Sequence, residues 1–214
     1  MHDAEVQALA SQVLWAAFVL AVLFGAIAQR THFCTMGALS DVVSMGDWSR
    51  MRQWALAAGV AVLGFNAMAG LGWVEAGKSI YAAPRLLWLS HAVGGLMFGF
   101  GMVLASGCGS KTLVRLGGGN LKSLVVFVVL GVAAYMTLRG LTAVWRVATV
   151  DRAVVALPTG QDLPSLLAAA TGTSRSAMAW PAGGAVGLAL LAWALLRPEG
   201  RSSDVLLGGG GIGA

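Results

Sequence analysis

The sequence contains few charged residues. Aspartate, glutamate, lysine and arginine make up 11% of the 214 residues, whereas 57% of the residues are hydrophobic. The mean hydropathy is +0.78. Soluble globular domains carry about 25% charged residues, so this composition excludes a soluble domain and predicts an integral membrane protein. At about 20 residues per span, the chain has room for five or six crossings.

Several motifs with known chemistry are absent. The acidic N-terminus lacks the basic region of a cleavable signal, so the first apolar run is interpreted as a retained helix. The two cysteines form neither a CxxC pair nor a zinc-ligand pattern. Residues 107–112 lack the glycine spacing and the ending of a Walker A loop. The sequence therefore predicts no metal, no nucleotide and no other cofactor.

The apolar segments predict an all-α, polytopic membrane protein, with residues 1–214 forming a single membrane domain. About five transmembrane helices are expected, because each apolar segment is too apolar all round for a surface helix. The predicted spans are 8–28, 53–73, 91–106, 121–145 and 181–196. A short interfacial helix is expected near 164–170 within an outer loop. Residues 205–214 resemble the start of an incomplete helix, which suggests a partial protein or one completed by a partner.

The two cysteines lie in matching sequence frames. Eight residues separate Phe24-Gly25 from Cys34, and eight residues separate Phe98-Gly99 from Cys108. An apolar run precedes and follows each frame, which indicates an internal repeat with a Cys-containing helix break or re-entrant short helix in each unit. Non-helical backbone at membrane depth persists only where protein shields it or where it lines an aqueous path. The two breaks therefore predict one shared site, with repeat unit one at about 8–73 and unit two at about 91–145.

Glycines and cations flank the two cysteines. Gly107 and Gly109 enclose Cys108 and permit close backbone approach. Free N–H groups near a helix start, together with the positive end of its dipole, favour an anion. Arg30, Lys111 and Arg115 either attract that anion or serve only as edge cations that obey membrane topology. Asp41 is expected to cap a helix or pair with an arginine, and Asn120 to cap the helix that begins at Leu121.

Two segments carry a family resemblance. Residues 30–41 read Arg-Thr-His-Phe-Cys-Thr-Met-Gly-Ala-Leu-Ser-Asp, and residues 107–121 read Gly-Cys-Gly-Ser-Lys-Thr-Leu-Val-Arg-Leu-Gly-Gly-Gly-Asn-Leu. Both resemble the YeeE/YedE family of sulfur-compound transporters. The resemblance implies a multi-helix inner-membrane protein that takes up thiosulfate along a central path lined by cysteines, with Cys34 and Cys108 as relay thiols. Full-length members are longer and carry a further cysteine, so this chain resembles their N-terminal portion.

The expected function is a permease for a small sulfur-containing anion, with thiosulfate as the first candidate, rather than an enzyme. Burial disfavours the thiolate form of a cysteine, whereas nearby cations such as Lys111, Arg115 or Arg30 favour it. If desolvation dominates, both thiols stay as neutral S–H groups, which can donate to a dianion that a thiolate would repel. Weak donors suit a conduction path because the ion must also leave. The expected substrate-binding residues are Cys34, Cys108, Gly107, Gly109, Arg115, Lys111 and Arg30.

Two other classes of function remain open. The same thiols would serve a membrane redox or persulfide sulfur-transfer protein, and the unfinished C-terminus would suit a non-transporting partner subunit. Besides the anion and membrane lipid, the candidate partners are a partner subunit, a missing C-terminal half and, by family association, a soluble sulfur carrier. No nucleic acid is expected, because the basic residues are scattered over loops.

The predicted location is the bacterial inner membrane, with several crossings and a periplasmic N-terminus. With this orientation, eight lysines and arginines fall in inner loops and six in outer loops. An excess of basic residues on the inner side is the normal arrangement.

Overall fold

The computed structural model describes residues 2–75, 84–157 and 159–214, and their side chains except those of residues 2–5, 175 and 176. Most of this part of the chain is helical. The helices are α1 (His2–Arg30), α2 (Thr35–Met45), α3 (Ser49–Gly70), α4 (Trp88–Leu104), α5 (Gly109–Gly117), α6 (Leu121–Arg139), α7 (Leu141–Ala148), α8 (Leu163–Thr171), α9 (Arg175–Leu195) and α10 (Ser203–Gly213). Short 3₁₀ turns lie at Val150–Arg152 and Pro198–Arg201. Two-residue strands β1 (Arg85–Leu86) and β2 (Val155–Ala156) pair antiparallel, with Arg85 opposite Ala156.

Five helical segments are long and apolar enough to cross a membrane. They are Val6–Met45, which joins α1 and α2, Ser49–Gly70, Trp88–Gly117, which joins α4 and α5, Leu121–Arg139 and Ala177–Leu195. Many large apolar side chains on these segments are exposed, including Leu14, Phe18 and Leu96, as expected for helices that face lipid. The prediction of an all-α, polytopic membrane protein with about five spans is confirmed.

The two predicted helix breaks have the same backbone conformation and hydrogen-bond pattern. α1 ends with His32 in the left-handed region (φ 51°), and the N–H of Phe33 donates to the carbonyl of Ala28 at 3.1 Å. α4 ends in the same way, with Ser106 at φ 54° and the N–H of Gly107 donating to the carbonyl of Met102 at 3.1 Å. This is the Schellman arrangement of a helix C-terminus. Each cysteine lies two residues after the left-handed residue and becomes the N-cap of the next helix.

The packed centre lies where α3 meets α9 and α10. Ala55 and Leu56 of α3 form a buried cluster with Ala194 of α9 and Val205 of α10. The buried Gln53 side chain donates to the carbonyl of Thr31 at 3.5 Å and to that of Asp204 at 3.4 Å. It thereby connects the end of α1 to α3 and α10, and this fixes the position at which the chain enters the first break.

One predicted span is wrong in its extent. The segment 121–145 is expected to be one helix, but α6 ends at Arg139 and α7 begins at Leu141. Gly140 between them is extended (φ −97°, ψ −164°), and a Cβ atom at this position would lie 2.7 Å from the carbonyl oxygen of Met136. The chain can turn this tightly only because residue 140 has no side chain.

The structure also assigns helices to two minor segments. α8 covers the short helix expected near 164–170, and Asn120 caps α6 through the N–H of Lys122 at 3.1 Å, as expected. The apolar run at 205 lies within α10, which starts at Ser203, and the hydroxyl of Ser202 accepts from the N–H of Val205. The assignment of repeat units and of one membrane domain stays a prediction.

Candidate functional site

The two cysteines lie side by side although they belong to different repeat units. The Sγ atoms of Cys34 and Cys108 are 3.9 Å apart, and either thiol can donate to the other. Both thiols are free; Cys34 is buried and Cys108 is half-buried. The predicted shared site therefore brings together the N-termini of α2 and α5, each of which begins directly after its cysteine.

Cys34 caps α2 through its side chain. Its Sγ accepts from the N–H of Gly37 at 3.4 Å, in the position that a serine or threonine oxygen takes in an ordinary N-cap. The indole N–H of Trp54 donates to the hydroxyl of Thr35 at 3.1 Å and ties the start of α2 to α3. The thiol is thus held in place by its own helix and, through Thr35, by the packed part of the molecule.

Cys108 begins α5 without capping it. No side chain within the described residues accepts from the first turn of α5, while the hydroxyl of Thr112 donates back to the carbonyl of Cys108 at 3.1 Å. A Cβ atom at Gly109 would meet no atom within 4 Å other than those of its chain neighbours and its own helix backbone. The N–H groups of the first turn of α5 have no acceptor within their own helix and follow directly after Cys108. Such N–H groups, at the positive end of a helix dipole, attract anions.

Arg50 is a functional candidate that the sequence did not reveal. A Cβ atom at Gly37 would lie 2.6 Å from Nη1 of Arg50 and 3.5 Å from Cβ of Cys34, so the guanidinium and the cysteine flank the same glycine. Arg50 is oriented by Asp41, whose carboxylate is 3.2 Å from Nε. The expectation that Asp41 pairs with an arginine is confirmed. Its partner could not be chosen beforehand, because only the turn at 46–48 brings α3 back beside α2.

The other predicted site residues divide into two groups. Gly107 and Gly109 flank Cys108, and the aliphatic part of Lys111 packs on Gly107, where an added Cβ would lie 3.1 Å from its Cδ. Arg115 instead donates from Nη1 to the carbonyl of Ser106 at 3.2 Å and closes the turn between α4 and α5. Arg30 is exposed at the end of α1, and the described part of the chain shows no hydrogen bond or ion pair to it. The structure therefore places the cysteines, the glycines and Lys111 together, with Arg115 bonded to the turn that precedes Cys108. The binding roles of these residues and of Arg30 stay predictions.

The arrangement suits a weak anion site. Two thiols supply weak donors, the start of α5 supplies N–H groups, and Arg50 supplies a cation already balanced by Asp41. Within the described residues, no group of three His, Cys, Asp or Glu side chains could hold a metal ion.

Comparison with known proteins bears directly on this site. The model of the Sulphur transport family matches residues 30–205, which include both cysteines. The thiosulfate transporter TsuA of Escherichia coli is 31% identical over 105 residues, which are 49% of this chain and 28% of that protein. TsuA of Spirochaeta thermophila is 28% identical over 134 residues, 62% of this chain and 39% of the relative. The probable transporter YedE of Salmonella typhimurium is 29% identical over 101 residues, 46% of this chain and 23% of the relative.

These matches span well under half of the length of each relative. The family match, in contrast, runs from the last residue of α1 into α10 and covers most of the chain. It contains both Cys-capped helix starts and both segments that resemble YeeE/YedE proteins, and on this basis the chain belongs to the sulphur transport (YeeE/YedE) family of multi-pass membrane proteins.

Proposed function

We propose that this protein is a permease for a small sulfur-containing anion, with thiosulfate as the first candidate. Cys34 and Cys108 then form one anion-binding site on the transport path, the thiol site. The observation that carries the proposal is the contact of the two thiols, 3.9 Å apart, where α2 and α5 both begin. Relatives named as thiosulfate transporters support the choice of substrate and a transporter rather than an enzyme.

The thiol site binds a dianion through weak hydrogen-bond donors. The S–H groups of Cys34 and Cys108 and the first amides of α5 donate to the oxygens or the terminal sulfur of thiosulfate. Neutral thiols add no negative charge, and N–H groups at a helix start stabilise the anion without a bound counterion. Because each contact is weak, the anion can dissociate and move to the next binding site on the path.

Arg50 raises the local concentration of the anion at the thiol site. Its charge lies beside Gly37 at the first turn of α2 and is held there by Asp41. The ion pair leaves part of the field of the guanidinium directed at the cysteine, so Arg50 increases the apparent affinity rather than the maximal rate. Lys111 and the glycines around Cys108 complete the proposed site, and Arg30 and Arg115 act at longer range.

The test is thiosulfate uptake by sulfur-starved cells that express the chain or its variants. Cys34→Ala and Cys108→Ala each remove a donor to a charged ligand, and we expect uptake to fall roughly tenfold. Thr137→Ala, which removes an exposed hydroxyl that bonds only within α6, serves as the matched control. Normal uptake by a correctly inserted double variant would refute the role of the thiols.

The role of Arg50 has its own pair of variants. Arg50→Ala removes the charge, whereas Gly37→Ala keeps the charge and displaces the guanidinium, because the new Cβ would lie 2.6 Å from Nη1. Both variants should raise the apparent KM on the order of tenfold with little change in the maximal rate. Arg139→Ala, at the end of α6, is the control for the loss of a surface cation.

A covalent function is the second candidate, because the two thiols are close enough to cooperate. In that case a Cys34 or Cys108 thiolate attacks the outer sulfur of thiosulfate, takes that sulfur as a persulfide and releases sulfite. Intact-mass measurement after exposure to thiosulfate distinguishes the two functions, since only the covalent one adds a sulfur atom to the protein.

We also propose the setting of this activity. The protein lies in the bacterial inner membrane with its N-terminus in the periplasm. The chain matches less than two fifths of each thiosulfate transporter relative, so transport by the whole assembly involves a further segment or subunit. Inside the cell, a soluble sulfur carrier would receive the sulfur of the imported compound. Uptake that appears only when the remaining part of such a transporter is co-expressed would support the requirement for a second part.

A further inference from the structure

A cavity is lined by residues other than those of the thiol pair. It has a volume of about 330 Å³ and is lined by Trp48, Arg52, Trp193, Arg197 and Glu199. These residues belong to the start of α3, the end of α9 and the 3₁₀ turn that follows it. The cavity therefore lies at the ends of two membrane-spanning helices, where the lipid headgroups begin.

Arg52 is the buried cation of this cavity. It is only 9% exposed, its Nη1 donates to the carbonyl of Trp193 at 2.7 Å, and its guanidinium lies 5.0 Å from the centre of the Trp193 ring. Its Nε is 3.5 Å from a carboxylate oxygen of Glu199 but has no hydrogen-bond partner among the described residues. Nε is enclosed by protein and faces Glu199, so Arg52 offers a ligand the positive charge of its guanidinium rather than this N–H group.

The charges in the cavity suit a ligand that carries both signs. Arg52 and Glu199 balance each other, and Arg197 is exposed with no ion pair within the described part of the chain. The side chain of Glu199 is 57% exposed, which leaves its other oxygen accessible. One anionic group beside the arginines and one cationic group beside Glu199 would satisfy all three side chains. A free dianion would meet the carboxylate and is less well matched.

The surroundings of the cavity are those of a lipid site. The rings of Trp48 and Trp193 meet edge to face at 6.0 Å, and indoles are enriched at the headgroup level of membranes. Leu196, next to the cavity, is 72% exposed and offers an apolar surface on which an acyl chain can lie.

We propose that this cavity binds a phospholipid headgroup that contains a phosphodiester and a primary amine, as in phosphatidylethanolamine. The phosphodiester contacts the exposed Arg197 beside the positive charge of Arg52, and the ammonium group contacts Glu199. The two indoles pack against the glycerol and the first methylene groups. The bound lipid secures the end of α9 against the start of α3. This lipid site is separate from the thiol site at Cys34 and Cys108.

The experiment is native mass spectrometry of the purified chain with phosphatidylethanolamine, phosphatidylglycerol or inorganic phosphate. The wild type should retain phosphatidylethanolamine about tenfold more strongly than phosphatidylglycerol, the difference expected for one extra charge-assisted contact. Arg197→Ala should lower retention of both lipids. Glu199→Gln should lower only phosphatidylethanolamine, to the level of phosphatidylglycerol. Lys122→Ala, an exposed cation at the start of α6, should change neither.

Three outcomes would overturn the proposal. They are equal retention of the two lipids by the wild type, displacement of the lipid by inorganic phosphate, and unchanged retention in Arg197→Ala. If Glu199→Gln does not fold, the exposed Arg197 variant decides alone. Thiosulfate uptake is measured in parallel, and loss of lipid with normal initial uptake separates this site from the cysteines.

Discussion

Cys34 and Cys108 lie with their sulfur atoms 3.9 Å apart, yet they come from two different helix starts. A copper–phenanthroline complex removes two electrons and two protons from such a pair and joins the sulfurs as a disulfide. The sulfurs must approach from 3.9 Å to the roughly 2.0 Å of a disulfide, and because both thiols belong to one chain, the cross-link should form within that chain at low protein concentration. Mass spectrometry and loss of both alkylatable thiols in denaturant measure it.

Single-thiol variants are the controls for this cross-link. Cys34→Ala and Cys108→Ala should each retain one alkylatable thiol after the same treatment. Thiosulfate at saturating concentration should slow the reaction in the wild type, because an anion that accepts from both S–H groups engages the two thiols and moves the sulfurs apart. Two fully alkylatable thiols in the oxidised wild type would contradict the observed contact.

The individual site residues differ in how far the sequence could predict them. Cys34 and Cys108 were found because each follows a phenylalanine-glycine pair at the same distance, a pattern within one segment. Arg50 was not found, because its position beside Gly37 depends on how α3 folds back on α2. Arg115 is expected to bind the anion, and the structure places it at a turn where the carbonyl of Ser106 accepts from it, so its role at the anion stays a prediction.

The start of α3 is a helix end whose stability should depend on pH. The carboxylate of Asp47 accepts from the hydroxyl of Ser49 at 2.6 Å and from its N–H at 2.9 Å. These two bonds, with a smaller effect of Arg50, lower the pKa of Asp47 below its ordinary value. A carboxyl group with a lowered pKa in the folded state stabilises that state above its unfolded pKa of about 3.9, and the contribution is lost as the pH falls through the folded pKa.

Asp47→Ala should therefore destabilise the protein by about 0.5 to 1 kcal/mol at neutral pH, at the low end of the range because Asp47 is exposed. The difference from wild type should shrink as the pH falls below about 4. Thermal unfolding in detergent between neutral and acidic pH measures it. Asp47→Asn keeps an oxygen acceptor without a titratable group, so a wild-type pH profile in this variant would contradict the explanation.

α10 is a helix that exists because of its packing. It contains Gly208 to Gly211, which disfavour a helix by about 1 kcal/mol each relative to alanine. A Cβ at Gly209 would lie 2.6 Å from Cβ of Leu56, whereas a Cβ at Gly210 would meet no atom within 4 Å. Small residues let helix backbones approach closely in membranes, so the two neighbouring glycines have different roles.

The two alanine substitutions should therefore have opposite effects. Gly209→Ala forces α10 away from α3 and should destabilise the protein by about 1 to 3 kcal/mol. Gly210→Ala should be neutral or stabilising by up to about 1 kcal/mol. Because both changes add the same methyl group, the difference between the melting temperatures reports the contact with Leu56. Equal melting temperatures would contradict the close packing of α10 on α3.

Helix type was easier to predict than helix boundaries. Long apolar segments specify a span whatever they pack against, and all five predicted spans correspond to helices. The break at Gly140 was missed, because 121–145 is apolar throughout and glycine is tolerated within membrane helices. The Cys34 and Cys108 breaks were recognised because polar residues and a second apolar run follow them.

At the scale of the whole molecule, the packing of α10 bears on the orientation in the membrane. Gln53 donates to the carbonyl of Asp204, so α10 begins beside the start of α3. With five crossings, this side also contains the start of α6 and the end of α9. It is the side with the slight excess of lysine and arginine, which supports the proposed orientation with this side in the cytoplasm.

The absence of other cysteines allows a direct test of this orientation. In a Cys34→Ala/Cys108→Ala background, Thr173→Cys places a thiol between α8 and α9, and Lys122→Cys places one at the start of α6. Both positions are exposed. A membrane-impermeant maleimide added to intact cells should label Thr173→Cys and leave Lys122→Cys unlabelled until the membrane is permeabilised. The reverse pattern would place the N-terminus in the cytoplasm, and labelling of both sites in intact cells would contradict the five-span topology.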